Sequence, residues 1–109
     1  MKTIDPNEAV DFLIKNSAAY AKAKADVTYL TEHRKTIKAM GFRRSLKNTV
    51  AEKEADAYMT QEYKDCVKGL RVAVEEAERL RWMLIAAQAR IDVYRTQEAS
   101  NRALDRNTQ

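Results

Sequence analysis

A chain of 109 residues with a formal net charge of +4, two glycines, one proline and a single cysteine is too short for a two-lobed enzyme and cannot close an intrachain disulfide. Alanine, glutamate, lysine, arginine and leucine recur throughout, and no β-branched or aromatic run alternates with period two for more than a few residues, which argues against any sheet. The expectation is an all-α protein, a single helical domain over residues 1–109, whose mildly basic balance suits an acidic partner without requiring one.

Met1-Lys2-Thr3-Ile4 leads into no long apolar run, so neither a signal peptide nor a membrane span is expected. Asp5-Pro6-Asn7-Glu8 reads as a helix start: Asp5 can accept from an exposed backbone amide, Pro6 suits the first helical position, and Glu8 is placed for a reciprocal cap. The helix is expected over residues 6–40, with Leu13, Tyr20, Ala23, Val27, Leu30 and Ile37 on one face and Asn16 and Arg34 at two further positions of the same stripe. Gly41 is the expected stop, because glycine takes the left-handed conformation that ends many helices. A basic loop should follow over residues 41–48.

Thr49-Val50-Ala51-Glu52 presents a capping box for a short helix over residues 50–59, and Thr60 offers a cap for a long one over residues 61–104, with a frayed tail at 105–109. The long helix carries the clearest pattern in the chain. Tyr63, Cys66, Leu70, Ala73, Ala77, Leu80, Leu84, Ala87, Ile91 and Tyr94 follow one another in alternating steps of three and four residues, a heptad seam. The implied architecture is a long antiparallel helical hairpin, coiled-coil-like, with a short intervening helix. A second apolar set, Val67, Val74, Trp82, Ile85 and Val93, lies off that seam and calls for a second neighbour. The short helix around Val50, Ala55 and Tyr58 can supply part of it but not cover Trp82 and Ile85, so a homodimer through the long helices is expected.

Chemistry-bearing residues are sparse. His33 is the only histidine and Cys66 the only cysteine, so no His/Cys metal site can be assembled within one chain, and a Cys–His nucleophile would lack a supporting carboxylate. No catalytic residue, metal or cofactor is expected, and the chain reads as a non-enzyme. A thiol on the apolar seam fits a reducing compartment. Two candidate surfaces remain. Arg34, Lys35, Lys38, Arg43, Arg44 and Lys47 form a basic run without an acid, interrupted by Phe42, which could contact phosphates and stack a base. Compensation of the helix dipole accounts for the part of this run within the first helix, leaving Arg43 and Arg44 beyond its expected end. Arg81, Trp82, Ile85 and Arg95 form a candidate protein interface, Trp and Arg being the residues in which binding energy concentrates; the plainer reading packs Trp82 into the hairpin core. Glu75 and Arg79 are a favourable pair on a solvated face.

Gly69-Leu70-Arg71-Val72-Ala73-Val74-Glu75, Glu78-Arg79-Leu80-Arg81-Trp82, Ala86-Ala87-Gln88, Arg90-Ile91, Arg95 and Glu98-Ala99-Ser100-Asn101-Arg102 resemble small helical proteins of bacteriophages and prophages that accompany recombination genes. The likeness runs from Gly41 onward and brings no reaction and no residue roles. It implies a bacterial host cytoplasm and an accessory role in phage DNA recombination or replication, with DNA or a phage or host protein of DNA metabolism as partner. Inhibition of a host factor, or a purely structural coiled coil, is the alternative.

Overall fold

The computed structural model describes residues 5–108, and it is all-α: α1 spans Pro6–Arg44, α2 Val50–Met59 and α3 Gln61–Thr108, with no strand among the described residues. The architecture is the expected antiparallel hairpin with a short helix between its arms. Each helix starts where the sequence places it. The Asn7 and Glu8 amides donate to the Asp5 carboxylate at 2.9 and 3.4 Å, that of Glu52 to the Thr49 hydroxyl at 3.1 Å, and that of Tyr63 to the Thr60 hydroxyl at 3.2 Å. Each satisfies a donor that a helix N-terminus leaves without an internal partner.

All ten seam positions of α3 are buried or half-buried, and Gly69 is the only other residue of that helix that is not exposed. The α1 stripe obeys the same spacing, with Asn16 and Arg34 half-buried in it, and it extends to Ala9 at one end and Gly41 at the other. Asn16 tolerates its place because its side-chain amide donates to the Phe12 carbonyl at 2.9 Å. The contacts gather into two units, Met1–Tyr20 with Arg79–Gln109, and Ala21–Glu78. In the first, Ala9 packs with Ala87 and Ile91 while Phe12 and Leu13 cover them. In the second, the Cys66 thiol donates to the Leu30 carbonyl at 3.8 Å, and Ala23, Ala57 and Ala77 are buried. Alanines dominate what is buried, so the helices approach closely around a thin core.

Helix ends differ from expectation. Gly41 does not stop α1, which continues through Phe42 and Arg43 to Arg44, and neither glycine has positive φ. The missing side chain serves a close approach instead. A Cβ at Gly41 would lie 3.0 Å from the Ala57 Cα and 3.2 Å from the Thr60 Cγ2, and Ala57 is 0% exposed. The loop is therefore shorter than expected, with Ser45 donating to the Asp56 carboxylate at 2.7 Å and accepting from the Lys47 amide at 3.2 Å. α2 is positioned through Ala57 rather than Val50, Ala55 and Tyr58: Val50 is 66% exposed, and Ala55 and Tyr58 are exposed too. Of the tail expected to fray, residues 105–108 are helical, and Gln109 lies outside the described residues.

Candidate functional site

The basic run does not form one surface. Arg34 is half-buried in the α1 stripe. The Lys35 ammonium pairs with Glu32 at 3.2 Å on its own helix. Lys38 lies 4.6 Å from the centre of the Tyr58 ring, and its interaction with the Tyr58 side chain, the largest influence, holds its pKa above the usual lysine value of 10.5. Arg43 and Arg44 are not beyond the helix: they are the last two residues of α1 and exposed. Dipole compensation therefore accounts for these two, whereas Arg34, Lys35 and Lys38 sit too far from the C-terminus for it. Lys47 remains exposed in the loop. Phe42 is half-buried, with the Lys53 ammonium 5.7 Å from its ring centre. The short loop brings the carboxylate of Asp56 onto Ser45, and Glu54 of α2 is among the groups that raise the Lys38 pKa, so within the run Lys38 has an acid of α2 near it. Sequence reasoning missed Leu46, 96% exposed at the loop; a lone leucine between Ser45 and Lys47 was its only signal.

The long helix presents a more coherent surface. Trp82 is 59% and Ile85 43% exposed, with the Arg81 guanidinium 5.2 Å from the Trp82 ring centre. Trp82 is thus not part of the hairpin core. In the heptad frame Arg81 and Arg95 share one column, Ile85 stands in the next and Trp82 in the one beyond, so all four predicted residues lie on one continuous arc of α3. Beside them runs a second stripe that sequence reasoning saw only in part. Trp82, Ala86, Ala89, Val93, Thr96, Ser100 and Ala103 repeat in steps of four and three, as the buried seam does, but every one is exposed and none is charged. Thr96 donates its hydroxyl to the Asp92 carbonyl at 3.1 Å and so brings no unsatisfied donor to the stripe. Along its edge, Glu8, Ala9, Phe12, Met83, Ala86, Ala87 and Arg90 line a groove of about 430 Å³ in the first unit. The stripe continues past Tyr94, from which point every side chain of α3 through Thr108 is exposed.

The remaining groups offer little chemistry. His33 stacks on Tyr29 with ring centres 5.4 Å apart, and the Cys66 thiol is buried against the Leu30 carbonyl. Among the described residues no three His, Cys, Asp or Glu side chains come together as metal ligands, and no helix is long and apolar enough to cross a membrane. No family model, curated protein or solved structure matches the chain.

Proposed function

We propose that this chain is a non-catalytic binding protein that works by docking a helical protein partner on the outer face of α3, through Arg81, Trp82, Ile85 and Arg95 and the stripe beside them. The observation that carries this reading is the exposure of Trp82, Ile85 and Val93 on an uncharged, heptad-spaced stripe. In a chain of which 33% of residues are charged, three heptads without a charge on a solvent-facing arc suit a partner's apolar surface better than water. The setting, accessory to phage DNA recombination or replication, is supported by the sequence resemblance alone. Inhibition of a host factor would use the same face.

Direct contact with DNA through Arg43, Arg44 and Lys47 is the second reading, favoured by their exposure beside Leu46, since an apolar wedge flanked by cations can enter a base step. The Asp56 carboxylate, held on Ser45 next to Arg44 in the chain, counts against it. Affinity purification of the tagged chain from bacterial cells, with and without nuclease and at rising salt, separates the two. Docking on α3 gives a stoichiometric protein partner that survives nuclease and salt, is lost on Trp82→Glu with Ile85→Glu, and is kept on Arg43→Glu with Arg44→Glu. Nuclease-sensitive retention with the opposite response to the two variants would overturn the docking reading.

A further inference from the structure

Resting on the docking reading above, we propose that the occupant of the α3 outer face is the same face of a second copy, packed antiparallel about a two-fold axis that passes between Tyr94 and Arg95. The heptad frame fixes which residues then meet. Along the stripe Val93 faces Thr96, Ala89 faces Ser100, and Ala86 faces Ala103 of the second copy, each pairing occurring twice. These layers are small, so the two helices can approach closely without leaving voids.

Charge excludes one neighbouring register and shape the other. At the flanks Arg90 meets Gln97, Asp92 meets Ala99, and Ile85 meets the aliphatic stem of Arg106, so no like charges oppose one another. Shifting the alignment by one heptad toward the N-terminus sets Arg90 against Arg90 and Asp92 against Asp92, and like charges directly opposed destabilise a pairing. Shifting one heptad toward the C-terminus opposes no like charges and sets Asp92 against Arg106, but it carries Leu104 away from Met83 to Arg90. Leu104 is 61% exposed on a stretch of α3 where every residue is exposed, and in this register it arrives beside Met83. There the groove lined by Phe12, Met83 and Ala86 stands open to receive it. The overlap runs from Trp82 to Asn107, about 39 Å of helix on each copy.

The single tryptophan and the single native thiol, which is buried, make the test direct. Sedimentation from about 1 to about 200 μM, with Trp82 emission read in parallel, should show dimers forming as the emission shifts to the blue, at concentrations ordinary for a helix pair of this size. Ala89→Glu, at an exposed position, should keep the helical circular dichroism and raise the dissociation constant by about a hundredfold or more, since it buries a charge twice. Mixed Met83→Cys and Leu104→Cys chains should crosslink to each other on mild oxidation, while Met83→Cys alone should not. The proposal is overturned by a monomer at the highest concentration, by a dimer indifferent to Ala89→Glu, or by Met83→Cys chains that crosslink to themselves, the parallel result. A monomer that still captures another protein through Trp82 and Ile85 overturns the second copy and leaves docking standing; a monomer that captures nothing overturns both.

Discussion

Gly41 and Gly69 both sit inside helices, and the same substitution at the two should move stability in opposite directions. Alanine is favoured over glycine in a helix interior by about 1 kcal/mol, because glycine loses more backbone freedom on folding. At Gly69 nothing opposes that gain: a Cβ there meets only the Leu30 Cδ1, at 4.0 Å, an ordinary contact. Gly69→Ala should therefore stabilise by about 1 kcal/mol, which for a chain of this size raises Tm by about 4 °C. At Gly41 the new Cβ would stand 3.0 Å from the Ala57 Cα, 3.2 Å from the Thr60 Cγ2 and 3.4 Å from the Ala57 Cβ. The closest of these is backbone, which cannot rotate away, so α2 must shift as a body. Overpacking of this kind costs about 1–3 kcal/mol, and with the helical gain subtracted Gly41→Ala should be destabilising by about 1 kcal/mol. Thermal and urea unfolding followed by circular dichroism at 222 nm would measure both. If Gly41→Ala stabilises as much as Gly69→Ala, the close approach of α1 and α2 is not what keeps a glycine at position 41.

Thr49→Ala removes the acceptor for the Glu52 amide at 3.1 Å and should destabilise by about 1 kcal/mol in urea titration, the ordinary worth of an N-cap. Ser45→Ala loses both the 2.7 Å bond to Asp56 and the acceptor for the Lys47 amide; about 1 kcal/mol is expected, with faster amide exchange confined to the loop and the start of α2. The raised pKa of Lys38 stabilises the fold fully below the ordinary value of 10.5, and this contribution is lost as pH rises through the higher folded value. Tyr58→Phe should therefore reduce the pH dependence of stability above about 10.5, measured by urea midpoints across that range. Deleting residues 95–109 removes only side chains that are exposed among the described residues, so Tm should change by less than about 4 °C while the concentration dependence of Trp82 emission disappears.

Most of the fold was legible because it follows from spacing along one helix at a time. The α3 seam, its α1 counterpart down to the polar members Asn16 and Arg34, and the caps at Asp5, Thr49 and Thr60 all depend on residues within a few positions of one another. The seam also marks its own limit. Past Tyr94 its next positions are Glu98, Asn101 and Asp105, and the structure buries nothing there. The outer stripe was legible only in pieces, since Trp82, Ile85 and Val93 stand out as large while the alanines, Thr96 and Ser100 that complete its period do not.

What the sequence by itself determined is the helical class, the helix starts, the buried faces of α1 and α3, and the shortage that leaves Trp82 and Ile85 uncovered. Only the tertiary structure decided how α2 is seated, where α1 ends and what becomes of the basic run. A ten-residue helix held through Ala57 against Gly41 has no period to read, and a glycine that makes room for a neighbour looks in sequence like one that ends a helix. Lys38 looks unpartnered along the chain because Tyr58 reaches it only once α2 folds back. Periodicity and capping are local and survive in one dimension; close approach and charge balance depend on distances that only the packed chain sets.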